Sequence, residues 1–242
     1  MNYKNINTEK DLFERIFKDK VLKSYSSEDP QIAEKFYKYY LHLVETNKKF
    51  NLTAITNLEE VVEKHFADSL LPLKAGIIQE NFLCADVGTG AGFPGVPIAL
   101  MRPDVKMILI DSLKKRLNFL DEIAELTGMK NCETIHSRAE DHAKSGNREK
   151  YDLVFSRAVS RLASLTELCL PLVKVGGKMV ALKSRTAQEE LEGAQKAIEL
   201  LGGKAEPIFG TEDRNLVIIT KISPTPPIYP RKAGTPEKFP IM

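Results

Sequence analysis

The chain is poor in cysteine, in long apolar runs and in net charge, and each shortage removes a class of protein. Its three cysteines, Cys84, Cys132 and Cys169, stand apart in apolar stretches with no CxxC spacing. That excludes a disulfide framework and a thiolate zinc site, and it fits a reduced, cytoplasmic protein. No apolar run approaches the roughly 18 residues that cross a bilayer, so no membrane association is expected. The polar start, Met1 to Asp11, does not read as a signal peptide. No internal repeat stands out, and a proline-rich tail is the one biased segment. Net charge is only +2, too little to argue for a polyanionic partner by itself. Residues 1–50 carry 10 Lys/Arg against 8 Asp/Glu, residues 51–220 carry 21 against 24, and residues 221–242 carry 4 against 1. The ends are basic around a slightly acidic body, which ordinary solvated surface also explains. What remains is 242 residues, 43% hydrophobic and 28% charged, enough for a full globular core without staples.

Hydrophobic spacing divides the chain. Leu12, Ile16 and Phe17 form one helical stripe, and Ile32, Phe36, Tyr39, Tyr40, Leu43 and Val44 form a second. A third helical stretch, Leu58–Leu71, is expected to stop at Pro72. Beyond it, apolar runs at Phe82–Val87, Lys106–Ile110, Cys132–Ile135, Leu153–Phe155 and Lys178–Leu182 read as buried parallel strands. Helices Gly95–Met101, Leu113–Thr127, Arg161–Lys174 and Ala187–Leu201 separate most of them. Lys204–Phe209 and Arg214–Ile222 close the pattern as a hairpin turning through Gly210–Asp213. Alternating strands and helices predict an α/β, doubly wound, mostly parallel sheet with a C-terminal antiparallel hairpin. Residues 1–57 are assigned to an N-terminal helical cap and 58–242 to the sheet domain with its basic tail.

The most informative segment is Asp86-Val-Gly88-Thr-Gly90-Ala-Gly92-Phe-Pro-Gly95, placed between a strand and a helix. Glycines there let the backbone turn sharply and turn its N–H groups toward a ligand at a helix start. No Gly-Lys-Ser/Thr follows, which excludes a nucleoside-triphosphate loop. Asp111 lies 25 residues after Asp86, at the end of the next strand, where a carboxylate accepts both hydroxyls of a ribose. Together these features imply an adenosine-containing cofactor, and nicotinamide and S-adenosyl-L-methionine both fit the frame. Asp86 favours the second: a carboxylate there can orient the loop and attract an ammonium, whereas it would repel a pyrophosphate. The pattern resembles the first motif of class I, Rossmann-like methyltransferases, and the closing hairpin points the same way.

Further segments resemble one family, the small-subunit rRNA guanine-N7 methyltransferases known as RsmG or glucose-inhibited division protein B. They are Asn51-Leu-Thr-Ala-Ile55, His65-Phe-Ala-Asp-Ser69, the whole glycine loop, Asp111-Ser112 with Lys114-Lys-Arg116, Ser137-Arg-Ala-Glu140, Ser156-Arg-Ala158 and Tyr229-Pro-Arg-Lys-Ala-Gly-Thr-Pro236. The resemblance implies S-adenosyl-L-methionine as cofactor and 16S rRNA, as the 30S subunit or its assembly intermediate, as partner, with the chain acting as a monomer. It implies cofactor contacts from Asp86, Gly88, Gly90, Gly92, Phe93, Ser112, Ala139 and Glu140, with Asp111 on the ribose. Arg157 is implied at the methyl-transfer centre, both touching the cofactor and positioning the substrate.

Absences sharpen the chemistry. Methylating an exocyclic amine usually needs Asp/Asn-Pro-Pro-aromatic after the fourth strand, and methylating C5 needs a cysteine nucleophile. That position reads Ser156-Arg157-Ala158, and Cys169 falls in an apolar helix. Guanine N7 has a free lone pair and no proton to lose, so no general base is expected, and alignment is the main task. Two other functions stay open on the residues: a nicotinamide-dependent oxidoreductase, disfavoured by the lack of a Tyr-x-x-x-Lys, and a non-catalytic RNA-binding protein. His65 and Asp68, three residues apart, could pair with each other or meet substrate. His136 and His142 read as surface or packing residues rather than metal ligands, and Tyr39 and Tyr40 as cap packing. Lys114, Lys115 and Arg116 suit a solvated face or phosphate contact, and Tyr229–Lys232 suits RNA backbone contact or simple packing.

Overall fold

The computed structural model describes residues 8–157, 160–211 and 213–242. The described residues open with α1 (Glu9–Phe17), whose N-cap Thr8 accepts from the Asp11 N–H at 3.1 Å. A wider π turn, Lys18–Leu22, continues it. The stripe Ile32, Phe36, Tyr39, Tyr40, Leu43 is the buried side of α2 (Ile32–Asn47). Asn57 caps α3 (Leu58–Glu60), which runs into a π-helical stretch, Val61–Ala67. Here the sequence reading needs correcting: Pro72 does not end this helix. The helical run stops just past Ala67, and Pro72 sits in the first turn of α4 (Leu71–Lys74), where its missing N–H has no partner to lose.

The sheet then alternates with helices: β1 (Leu83–Val87), α5 (Gly95–Met101), β2 (Lys106–Asp111), α6 (Lys114–Thr127), β3 (Cys132–His136), α7 (Ala139–His142), β4 (Tyr151–Arg157), α8 (Leu162–Cys169), β5 (Val173–Lys183) and α9 (Ala187–Leu200). The last elements are β6 (Gly203–Ala205), β7 (Phe209–Gly210), β8 (Asn215–Lys221) and α10 (Thr235–Lys238). Among the described residues, eight strands form one sheet in the order β3-β2-β1-β4-β5-β8-β6, with β7 also paired to β8. Strands β1 to β5 run parallel, and β8 enters antiparallel between β5 and β6. The strand order reverses between β1 and β4, which opens a crevice at their carboxyl ends.

Two boundaries differ from the sequence reading for local reasons. The helix expected to reach Lys174 ends at Cys169, because Pro171 cannot continue it; a 3₁₀ turn, Leu170–Leu172, leads directly into β5. The strand expected over Lys204–Phe209 is split into β6 and β7 around Pro207, which has no N–H for the ladder. In the following turn Thr211 N donates to Arg214 O at 2.9 Å; Glu212 lies outside the described residues.

Period-two alternation is strict in the central strands. Met107 and Leu109 face one core while Ile108 and Ile110 face the other, and Leu153 and Phe155 oppose Val154 in the same way. The first core joins the sheet to α1, α2, α5, α6 and the 58–67 helical stretch, with Phe13, Phe36, Tyr39 and Phe66 touching ring to ring. The N-terminal helices thus share a continuous hydrophobic core with the glycine loop, so they fix its position.

Candidate functional site

Asp86 is the base of the glycine loop. Fully buried at the end of β1, its Oδ2 accepts from Thr89 Oγ1 at 2.7 Å and from Gly95 N at 2.9 Å. One carboxylate oxygen therefore ties the start of the loop to the start of α5. The other, Oδ1, is buried with no hydrogen-bond partner among the described residues. Burial pushes the carboxyl up to about 6, against the pull of Thr89 and Gly95. Gly95 is required by this arrangement, since a Cβ there would lie 2.5 Å from Leu109 Cδ2 and 2.9 Å from Asp86 Oδ2. Gly92, at φ +100°, is required by the helical layer: a Cβ would lie 2.7 Å from the Tyr39 hydroxyl and 2.8 Å from Leu120 Cδ2. Tyr39 itself is fully buried and donates its hydroxyl to Ala91 O, so it packs the loop from α2.

A first cavity, about 320 Å³, opens beside the loop at the carboxyl ends of β1 and β2. Gly88, Asp111, Ser112, Ala139 and Glu140 line it, bringing together five of the residues singled out from sequence, with Arg116 and Arg138 at its edge. Asp111 is already engaged: Oδ1 accepts from Leu113 N at 2.9 Å, and Oδ2 accepts from Gly90 N at 3.0 Å and Arg116 Nη1 at 3.2 Å. Two of these donors are backbone, whereas Arg116 is a half-exposed side chain that can swing away. Its departure would return acceptor capacity to the carboxylate. Of the basic trio, Arg116 therefore pairs within the cavity and Lys115 lies over the Phe50 ring, 5.0 Å from its centroid. Glu140 is buried and accepts from Gly234 N at 2.8 Å, so its carboxylate holds the C-terminal tail against the cavity.

Arg157 is elsewhere. It lines a second cavity, about 430 Å³, formed at the ends of β4 and β5 with the 58–71 helical segment. Its Nη2 donates to His65 Nδ1 at 2.8 Å, its Nη1 to Lys64 O at 3.2 Å, and its guanidinium sits 5.0 Å from the Phe93 centroid. Phe93 is buried, stacked 4.5 Å from the His65 ring, and lines neither cavity. Its ring lies beneath the Arg157 guanidinium. Because a guanidinium only donates, His65 Nδ1 must accept, which leaves Nε2–H to donate to Thr53 Oγ1 at 2.8 Å. Burial and Arg157 lower the imidazole to about 4, consistent with this neutral tautomer. His65 and Asp68 do not pair with each other. Asp68 faces Arg214, with Nε 2.9 Å from Oδ1. Ser156 donates to Val87 O at 2.8 Å, and Ala158 of the same motif lies outside the described residues.

The remaining candidates are structural. His142 is buried against the Tyr151 hydroxyl at 2.6 Å, and His136 Nε2 meets Ser112 O at 2.9 Å. In the tail, Arg231 is spent on Glu167, a fully buried carboxylate on α8, through its backbone N–H at 2.8 Å and its guanidinium at 2.6 Å. Arg148 donates to Tyr229 O at 2.6 Å. Only Lys232 of the tail's aromatic-cationic group is exposed. Sequence reasoning missed the roles of Thr53 and Glu167, and it left Arg116 between a solvated face and phosphate contact. Thr53 acts through His65 and Glu167 through Arg231, partners 12 and 64 residues away, and spacing carries no trace of such pairs.

A parallel sheet of this order, a β1–α5 glycine loop, an acidic residue ending β2 and a reversed strand beside β5 define a class I methyltransferase. The crystal structure of a ribosomal protein L11 methylase from Lactobacillus delbrueckii subsp. bulgaricus shares the fold: TM-score 0.52 at 14% identity, over 66% of this chain and 79% of that one. The family model described as rRNA small subunit methyltransferase G, GidB, matches residues 32–217, and the chain belongs to that family. It is 47% identical over 240 residues to the protein named Ribosomal RNA small subunit methyltransferase G of Clostridium novyi (strain NT), covering 95% of this chain and 99% of that one. It is 49% identical over 213 residues to the protein of the same name from Desulforamulus reducens, covering 85% and 89%. Among the described residues no helix is long and apolar enough to cross a membrane.

Proposed function

We propose that this protein methylates N7 of one guanine in 16S rRNA, in the decoding-region loop of the 30S subunit or of its assembly intermediate, using S-adenosyl-L-methionine. The observation that carries the reading is a pair of cavities at the carboxyl ends of the strands, one lined by Gly88 and Asp111 and the other by Arg157, whose guanidinium lies over Phe93 of the glycine loop. Family membership supports the substrate class.

The residues present fit the cofactor. Asp86 Oδ1, buried and unbonded, suits an ammonium, and the Asp111 carboxylate suits ribose hydroxyls once Arg116 moves aside. Gly88, Ala139 and Glu140 would border the adenosine. When bound, the cofactor supplies an electrophilic methyl on a sulfonium. The chain's contribution is alignment: N7 attacks with its own lone pair and needs only to be held about 3–3.5 Å from the methyl. Arg157 has five N–H donors, of which two are used on His65 and Lys64. A remaining donor can hold guanine O6, which shares an edge with N7. Both ring nitrogens of His65 are engaged, so it fixes Arg157 and does not serve as a base.

The test is transfer of a labelled methyl to 30S subunits from cells lacking their own enzyme, followed by cleavage at N7-methylguanine to map the site. One labelled guanine in the decoding-region loop is expected, and none with Arg157→Ala. Label on free 16S rRNA alone would move the substrate earlier in assembly. Label on neither, with cofactor bound, would overturn the proposed substrate, and full turnover by Arg157→Ala would overturn the role of that residue.

A further inference from the structure

The second cavity contains more than Arg157. Ile55, Leu71 and Leu182 supply apolar lining, and Asp68 and Arg214 line it too. Asp68 lies three residues beyond His65, at the end of the same helical run. His65 holds Arg157 in the lining of the cavity, and Asp68 lines the same cavity. Its Oδ1 has no hydrogen-bond partner among the described residues, and the Arg214 guanidinium approaches it as an ion pair without hydrogen-bond alignment. Arg214 also bonds Glu63 Oε1 at 3.1 Å, so it has a second carboxylate to rest on if Asp68 turns to another donor. A half-buried carboxylate with acceptor capacity to spare, lining an apolar-walled slot, calls for a planar ligand with adjacent N–H donors.

We infer that Asp68 reads the Watson–Crick edge of the target guanine, accepting from N1–H and the 2-amino group while N7 and O6 point inward to the methyl and Arg157. This rests on the substrate reading above and adds its specificity determinant. The two contacts are compatible with one bound base, because N7 and O6 form one edge of guanine and N1–H and the 2-amino group form the adjoining one. A base whose N7 and O6 face Arg157 turns its N1–H and 2-amino group to a neighbouring wall, and Asp68 lines that same cavity. Adenine also has an N7, but it presents a lone pair at N1, which a carboxylate repels. Recognition by Asp68 would therefore make the enzyme selective for guanine, where N7 alone cannot. Two charge-assisted bonds from one carboxylate also favour a base turned out of its stack into the slot.

The experiment compares wild type, Asp68→Asn and Asp68→Glu on 30S particles reconstituted with guanosine or inosine at the methylated position. Inosine keeps N1–H, O6 and N7 and lacks only the 2-amino group. Wild type should prefer guanosine by about 10-fold, and Asp68→Asn should be about 10- to 100-fold slower on guanosine, as expected for lost hydrogen bonds to a charged acceptor. The guanosine preference should vanish in Asp68→Asn and persist in Asp68→Glu, which keeps the carboxylate. Unchanged cofactor affinity in Asp68→Asn would show that the fold and the first cavity survive. Wild-type transfer by Asp68→Asn, or a guanosine preference that survives that substitution, would overturn the inference while leaving the substrate intact. No label from wild type on guanosine particles would instead overturn the substrate reading, and this inference with it.

Discussion

Arg157, from the end of β4, and His65, from the helical layer, meet at 2.8 Å, Nη2 to Nδ1, over the face of Phe93. The candidate substrate-positioning cation is thus oriented by a residue 92 positions away in the chain. His65 is itself held by Thr53, and the Thr53 N–H by Asn47 Oδ1 at 2.9 Å. The helical layer therefore reaches the chemistry through a relay of side chains, as well as covering one face of the sheet.

His65→Ala should separate these roles. Removing the imidazole leaves the guanidinium free to rotate, and methyl transfer should fall about 10- to 100-fold, the loss of one hydrogen bond to a charged group. Cofactor affinity should be preserved, because the first cavity contains no part of the relay. Parallel titration of cofactor binding and single-turnover transfer makes the comparison. An equal loss in both would mean that His65 supports the whole fold instead.

Asp86 gives a pH prediction. Its native carboxyl is raised to about 6 from an ordinary 3.8, so between those values the folded cofactor-free protein holds a proton that the unfolded chain has lost. Stability should accordingly fall as pH rises from about 4 to about 6 through this group. Binding a cationic ammonium reverses the preference, since it favours the ionised form. Cofactor affinity should therefore strengthen as pH rises through about 6, with a proton released on binding below that value. In Asp86→Asn both slopes should flatten and affinity should be weaker at neutral pH. Calorimetric titration in two buffers of different ionisation enthalpy counts the proton, and a wild-type slope surviving in the variant would exclude Asp86 as its source.

The sheet was legible because burial on both faces leaves uninterrupted apolar strands; Lys106–Asp111 and Gly95–Met101 fall where spacing places them. The glycine loop and Asp111 were legible because they are local in sequence. What sequence could not reveal is long-range pairing: Arg157 with His65, and Arg231 with Glu167. The basic tail shows the consequence. Its cations suggest a surface for RNA, yet Arg231 is turned inward by a carboxylate that no periodicity exposes.

Gly92→Ala tests how tightly the helical layer grips the loop. The new methyl would fall within 2.8 Å of Tyr39, Val96 and Leu120 side-chain atoms, at a φ of +100°. Overpacking of this kind costs about 1–3 kcal/mol, and the left-handed backbone adds about 1–2. The denaturant midpoint should drop accordingly. Gly90→Ala meets nothing nearer than 3.8 Å, so it should lose only the backbone part. Equal losses in the two variants would show that the layer yields to the methyl.

The Glu167–Arg231 pair should hold the tail on the body. Glu167 is fully buried and receives three N–H donors of one residue, from Arg231 N, Nε and Nη2. Removing one member of a buried pair leaves the other charge uncompensated and costs about 3–5 kcal/mol. Arg231→Ala should therefore destabilise strongly, while Glu167→Gln with Arg231→Met, which removes both charges, should recover part of the loss. The tail also carries Gly234, bonded to Glu140, and Glu237, which lines the first cavity. Releasing it should open residues 226–242 to proteolysis and weaken cofactor binding together. Protease cleavage near the C-terminus, followed with and without cofactor, reads both effects. A tail that stays protected in Arg231→Ala would mean that Arg148, through Thr225 and Tyr229 carbonyls, is enough to hold it.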